Sequence, residues 1–136
     1  MTTTKETDVH TIDEEDAPSL GALLLASAAN PRDKAAVRAL VDEEIILGRE
    51  RVRMALVVKR ADGRMGCDWE RFGKRLYTLG LNESDRSFLD LVLSLAGPHQ
   101  TSLARVLEID DRRLAIILRA TVQLSGCDTL AIGTRT

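Results

Sequence analysis

The helical character of the chain is clearest at residues 110–126, which read DDRRLAIILRATVQLSG. Asp110 is a favourable N-cap because its carboxylate can accept a hydrogen bond from a free N–H of the first turn. Gly126 suits a C-cap because glycine adopts the left-handed conformation without strain. Between them, the side chains of the expected buried face recur every three or four residues. They are Leu114, Ile117, Leu118, Thr121 and Leu124.

Similar signals predict further helices upstream. The expected N-caps are Ser19, Asn30 before Pro31, Asp68, and either Asn82 or Ser84. The expected ends are Gly80 and the Gly97-Pro98 pair. Residues 49–60 alternate like a strand but also fit a helix, and we favour the helix, with a turn at residues 61–63. The sequence therefore predicts an all-α fold, a compact bundle of about six helices.

Composition excludes several classes of protein. The 136 residues carry 19 basic and 21 acidic side chains, a net charge of −2, so the whole chain has no electrostatic bias toward nucleic acid. Four aromatic residues are too few for a platform that stacks single strands. The apolar run at residues 20–29 is too short to span a membrane, and the acidic N-terminus is unlike a secretion signal. We expect a cytoplasmic protein that does not bind membranes and whose two cysteines, Cys67 and Cys127, are reduced thiols.

The chain divides into three predicted regions. Residues 1–17 contain six acidic side chains and one lysine, which predicts a disordered acidic tail. This tail is either a solvated terminus or an arm that mimics nucleic acid or covers a basic surface. Residues 18–80 form an N-terminal helical half, and residues 81–136 form a C-terminal three-helix half.

An offset of 60 residues aligns parts of the two halves. Gly66-Cys67-Asp68 then matches Gly126-Cys127-Asp128, and Arg53 matches Arg113. The match is consistent with two related helical units whose apolar faces pack together. Chance similarity is the alternative, because sequences rich in alanine, leucine and arginine align easily.

Residues 100–119 carry the pattern of a helix-turn-helix element. The residues at the offsets that hold two such helices at their angle are Leu103, Ala104, Leu107, Ile109, Leu114 and Ile117. The pattern resembles the C-terminal domains of sigma factors and of LuxR-type regulators over roughly 45 residues. It departs from them at the turn, where Glu108 replaces the usual glycine. The residues predicted to contact DNA or a protein partner are Arg105, Arg112, Arg113, Ile116 and Arg119.

Two features of this element favour a protein partner over DNA. Asp110 and Asp111 would repel phosphates, and Ile116, Ala120 and Val122 remain apolar outside the predicted core face of the helix. Such surplus aliphatic residues predict a homodimer or a partner-binding helix.

The sequence contains no motif for catalysis or for metal binding. It has no HExxH, no Gly-x-Ser-x-Gly, no phosphate-binding loop and no CxxC pair. We therefore predict no enzyme, no cofactor, no metal and no small-molecule substrate. The leading hypothesis is a small bacterial regulatory protein that binds a macromolecule, with DNA binding through the helix-turn-helix-like element. The alternative is a protein-interaction module, such as an adaptor, an anti-activator or an antitoxin-like inhibitor, that does not touch nucleic acid.

Overall fold

The structure, a computed structural model, describes residues 18–135, so the predicted acidic tail at residues 1–17 lies outside the described part. Within that part the chain forms six α-helices, three short 3-10 helices and one β-hairpin. The α-helices are α1 (Leu20–Ser27), α2 (Pro31–Glu43), α3 (Glu50–Leu56), α4 (Trp69–Arg75), α5 (Glu83–Ala96) and α6 (Asp111–Ser125). The 3-10 helices span Ile46–Gly48, Leu76–Thr78 and Leu103–Glu108. The hairpin pairs β1 (Val57–Lys59) with β2 (Met65–Cys67) in antiparallel register. The prediction of an all-α fold is confirmed.

The helices begin where side chains can cap them. The side-chain oxygens of Ser19, Asn30, Asp68, Asn82 and Asp110 each accept a hydrogen bond from the N–H three residues on. Of the two alternatives for α5, Asn82 is the cap. Gly126 closes α6 at φ 76°, as predicted. Glu44 closes α2 in the same left-handed region, where a residue with a side chain is uncommon.

The core lies between α2, α5 and α6, and both predicted halves contribute to it. It runs from Leu24 in α1 to Ala120 in α6. Helix α5 is buried most completely, with Phe88, Leu89 and Val92 fully enclosed. Burial of such side chains contributes roughly 1.5–3 kcal/mol each, so α5 contributes strongly to stability.

Residues 49–60 are part helix and part strand. Helix α3 ends at Leu56, and β1 begins with Val57 and Val58, two β-branched residues that suit a strand. The side chain of Arg71 donates hydrogen bonds to the carbonyls of Met54 and Ala55, which the end of the helix leaves free. The helix favoured for residues 49–60 is therefore confirmed for residues 50–56 and wrong for residues 57–59, which form a strand.

The segments aligned by the 60-residue offset take different structures. Arg53 and Gly66 lie in α3 and in β2, whereas Arg113 lies inside α6 and Gly126 caps that helix. The matched residues therefore do not mark a structural repeat.

The two helices of the predicted helix-turn-helix element follow each other along the chain, but each packs mainly against a different helix. Its first part is the 3-10 helix Leu103–Glu108, which has no buried residue and packs mainly against α5. Its second part is α6, which packs mainly against α2.

Candidate nucleic-acid interface

Two of the five predicted contact residues lie inside the molecule. Ile116 packs in the core, and only 8% of Arg113 is exposed. Ala120 is also buried and Val122 is partly buried, whereas Leu118 and Thr121 of the predicted buried face are exposed. The predicted face is therefore wrong at these positions, and the aliphatic residues taken as surplus serve the fold. The homodimer inferred from them stays a prediction.

Arg113 belongs to a buried charge cluster around Glu43. This carboxylate is fully buried at the end of α2, where Oε1 accepts the N–H groups of Ile45 at 2.9 Å and Ile46 at 2.6 Å. Its Oε2 accepts from Nη2 of Arg112 at 3.2 Å and from Nη2 of Arg113 at 3.1 Å. Glu43 therefore holds the turn after α2 and ties α2 to α6.

Asp85 completes this cluster from α5. Nη2 of Arg113 lies 2.8 Å from Oδ1 of Asp85, and Nη1 of Arg49 lies 2.6 Å from its Oδ2. Burial alone would lower the pKa of Arg113, but its hydrogen bonds to Asp85 and Glu43 raise that pKa above the ordinary value. The cluster links three helices, and Arg113 is enclosed in it, whereas the side chains of Arg112 and Arg49 remain about half exposed.

The remaining predicted arginines also bind within the fold. Nε of Arg105 lies 3.3 Å from Oδ2 of Asp90, and Nε of Arg119 donates to the carbonyl of Ile132 at 3.0 Å. The five predicted residues thus lie at four separate places: the Glu43 cluster, the core, Asp90 and the carbonyl of Ile132. A sequence pattern cannot distinguish an arginine that neutralises a buried carboxylate from one that faces a phosphate.

Asp90 is the centre of a second polar cluster, which the sequence did not reveal. This carboxylate is 3% exposed, and Nε2 of His99 lies 2.8 Å from its Oδ1. The hydroxyl of Tyr77 donates to its Oδ2 at 3.2 Å. The cluster lines a cavity of about 480 Å³ beside the 3-10 helix Leu103–Glu108. Together with the ion pair to Arg105, these contacts hold the 3-10 helix and His99 against α5.

The same 3-10 helix presents apolar side chains outward. Leu103 and Leu107 are 80% and 81% exposed, and the nearby ring of Tyr77 is also exposed. Exposed leucines are ordinary one at a time, but two on one short helix form a small apolar surface.

Charge is unevenly distributed along the chain. Residues 49–75 carry nine basic and four acidic side chains, a net charge of +5, whereas residues 18–48 and 76–135 together carry −2. We call residues 49–75 the basic segment. The sequence reasoning missed it because the overall balance of −2 conceals it, although a running count of charge would have found it.

The basic segment folds as one unit of α3, the hairpin and α4. Helix α3 packs against both α4 and β1. Some cations of the basic segment make contacts within the fold. Arg71 binds a carbonyl at the end of α3, Arg53 binds the carbonyl of Gly48, and Arg49 pairs with Asp85. Lys74 pairs with Glu70 at 3.3 Å.

Five cations of this segment are exposed, and their side chains make no hydrogen bond or ion pair with any residue among 18–135. They are Arg51, Lys59, Arg60, Arg64 and Arg75. Three of them lie at the end of the hairpin, where Gly63 forms the turn at φ 84°. The guanidinium of Arg60 lies so close to Gly66 that a Cβ at this glycine would collide with it.

The two cysteines differ in environment. Burial, with Asp33 nearby, raises the pKa of Cys67 to about 12. A side-chain hydrogen bond with Thr129 lowers the pKa of Cys127, which is partly exposed. Over residues 18–135 no three histidine, cysteine or acidic side chains come together as a metal site, and no helix is long and apolar enough to cross a membrane.

Comparison of the chain with protein-family models, with curated proteins and with solved structures found no match.

Proposed function

We propose that this protein is a non-enzymatic regulatory protein that binds the phosphate backbone of duplex DNA through the basic segment. The proposal rests on one observation above the others. A net charge of +5 is concentrated in 27 consecutive residues that fold as one unit, while the rest of residues 18–135 is nearly balanced. Proteins that bind DNA gain affinity by releasing counterions from phosphates, and such a local concentration of cations achieves this whatever the net charge of the chain.

The type of cation favours phosphate. We call the five exposed cations without a partner among residues 18–135 the uncommitted cations. Four of them are arginines, whose planar guanidinium can donate two hydrogen bonds to one phosphate. The hairpin carries Arg60, Arg64 and Lys59 at its end, where a narrow projection can approach the DNA backbone.

The aromatic residues of the basic segment favour a duplex over a single strand. Phe72 is fully buried, and the indole nitrogen of Trp69 donates to Asp33 at 2.7 Å. Phe72 is therefore not available for stacking with a base, and a single partly buried indole does not make the platform of several rings that single-strand binding uses. The proposal keeps the predicted macromolecular binding and moves it from residues 100–119 to residues 49–75.

Fluorescence anisotropy with a labelled 20-base-pair duplex at about 50 mM salt tests the proposal, because phosphate contacts are strongest at low salt. Arg60→Gln with Arg64→Gln removes two cations of the hairpin and should weaken binding about tenfold. Lys34→Gln with Arg38→Gln is the matched control, since it removes two exposed cations of α2 and should change affinity less than twofold. Equal losses in the two variants, or no binding by the unmodified chain, would contradict the proposal.

A second candidate function is binding of a protein partner at the 3-10 helix Leu103–Glu108. The outward position of Leu103 and Leu107 beside Tyr77 favours it. Leu103→Ser with Leu107→Ser should abolish capture of a partner while leaving DNA affinity unchanged. Leu130→Ser is the control, because this leucine is exposed elsewhere. Retained capture by the double variant would exclude this surface.

A further inference from the structure

The excess negative charge of the chain lies in one place. Residues 1–17 carry six acidic side chains and one lysine, a net charge of −5, which equals in size the +5 of the basic segment. These two segments of opposite charge account for almost all of the charge imbalance of the chain.

The acidic segment is attached close to the basic segment. It precedes α1, whose eight residues span about 12 Å at 1.5 Å per residue. At the far end of α1, the hydroxyl of Ser27 donates to the carbonyl of Met65 in β2. In the hairpin register Met65 pairs with Lys59. The acidic segment therefore joins the described part of the chain about one short helix away from the cations of the hairpin.

The length of the acidic segment suffices to reach every cation of the basic segment. Seventeen residues can extend up to about 55 Å. A folded unit of 118 residues has a radius of gyration of about 13 Å. A short tether also gives an effective concentration in the millimolar range, so even a weak ionic contact is populated.

We propose that the acidic segment, residues 1–17, binds the basic segment of the same chain and competes there with DNA phosphates. The competition rests on the proposed DNA binding, whereas the contact itself does not. Its attraction is ionic, so it weakens as salt shortens the Debye length from about 10 Å at 0.1 M to about 3 Å at 1 M. The acidic segment then acts as an intramolecular competitor. It raises the selectivity of the basic segment for duplex DNA over ligands that carry fewer phosphates.

Carbodiimide cross-linking of the full chain tests the contact without any nucleic acid. The reagent joins a lysine amine to a carboxylate that touches it, and the chain has only four lysines, at positions 5, 34, 59 and 74. Lys59 belongs to the basic segment and has no acidic partner among residues 18–135, whereas Lys74 already pairs with Glu70. Lys59 is therefore the reporter.

Lys34 is the matched control. Lys34 is exposed in the first turns of α2, and its neighbour Asp33 accepts a hydrogen bond from Trp69 of the basic segment at 2.7 Å. Both lysines are thus within easy reach of the acidic segment, but Lys59 belongs to the basic segment and adjoins Arg60, whereas Lys34 lies in α2, where Asp33 adjoins it and Arg38 follows one turn later.

Peptide mass spectrometry should find cross-links from residues 6–16 to Lys59 at least fivefold more often than to Lys34. Their yield should not depend on protein concentration and should fall severalfold in 0.5 M salt. Equal yields at the two lysines would overturn the proposal, and so would a yield that rises with protein concentration, since that result assigns the contact to a second copy.

The competition has its own measurement. A full-length variant with the six acidic residues of positions 6–16 changed to Asn or Gln should bind the 20-base-pair duplex about three- to tenfold more tightly at 50 mM salt, and equally at 300 mM. An unchanged affinity at 50 mM would overturn the competition. If the unmodified chain and this variant both failed to bind duplex, the proposed function would fail while the cross-linking result would stand.

Discussion

Arg113 donates two hydrogen bonds to one oxygen of fully buried Glu43, from Nε at 3.3 Å and from Nη2 at 3.1 Å to Oε2. The same guanidinium reaches Asp85, so one side chain joins α2, α5 and α6. Two buried carboxylates with one buried arginine leave little tolerance for loss of a member, because a remaining charge would be buried without a partner.

Glu43→Gln should therefore lower the free energy of unfolding by about 3–5 kcal/mol. The amide also forces an N–H₂ group toward two arginines or toward two backbone N–H groups. Glu70→Gln is the matched control, because Glu70 forms an exposed pair with Lys74 that contributes less than about 1 kcal/mol. Urea unfolding followed by circular dichroism measures both variants. Equal losses would show that the cluster adds no more than a surface ion pair.

The two thiols should react at very different rates in the folded protein. At pH 8, with a pKa of about 12, only about one in ten thousand Cys67 side chains is a thiolate. The lowered pKa of Cys127 gives it a larger thiolate fraction, and it is partly exposed. Iodoacetamide at pH 8 should label one cysteine per chain, and peptide mapping should place the label at Cys127. Labelling of Cys67 at a similar rate would contradict the burial described for β2.

The pKa of Cys67 also predicts a loss of stability in alkali. Folding raises this pKa from 9.0 to about 12, so the folded state favours the neutral thiol. Its contribution is complete below pH 9 and is lost as the pH rises toward 12. Between pH 8 and 10.5, the unmodified protein should lose about 2 kcal/mol more stability than Cys67→Ala. Parallel losses in the two proteins, measured by urea unfolding, would show that Cys67 ionises normally.

Arg105 should stabilise one short segment of the fold much more than the whole protein. Its ion pair with Asp90 ties the 3-10 helix Leu103–Glu108, which has no buried residue, to α5. Arg105→Ala should speed amide exchange in residues 103–109 at least tenfold and lower global stability by only about 1 kcal/mol, since the arginine is partly exposed. Arg119→Ala is the control, because it removes an arginine of α6 that binds the carbonyl of Ile132 and should leave exchange in residues 103–109 unchanged. Unchanged exchange in residues 103–109 would show that apolar contacts alone hold this helix.

The helices were predictable because their signals are local. Asn30, Asp68 and Asp110 act within one helical turn, and each caps the helix predicted for it. The strand at residues 57–59 was ambiguous, since the same valines fit both periodicities and pairing with β2 decides between them. That choice depends on residues that lie eight or more positions away.

The roles of the arginines were not predictable, because they depend on contacts distant in sequence. Arg113 meets Glu43 across 70 positions, and Arg105 meets Asp90 across 15, so neither pairing leaves a local pattern. The basic segment is the opposite case, because its charge is local. A count over a window of about 30 residues identifies it, and only its folding as one unit needs the structure.

The salt dependence of DNA binding by the unmodified chain is the sharpest test of binding through the basic segment. Anisotropy titrations between about 50 and 300 mM salt measure the slope of log K against log salt, which is about −0.9 per phosphate contacted. Five uncommitted cations predict a slope of about −4.5, reduced to about −3.5 where the acidic segment competes. A slope between these values supports the basic segment as the binding surface. A slope near zero, or no binding at 50 mM salt, would contradict it.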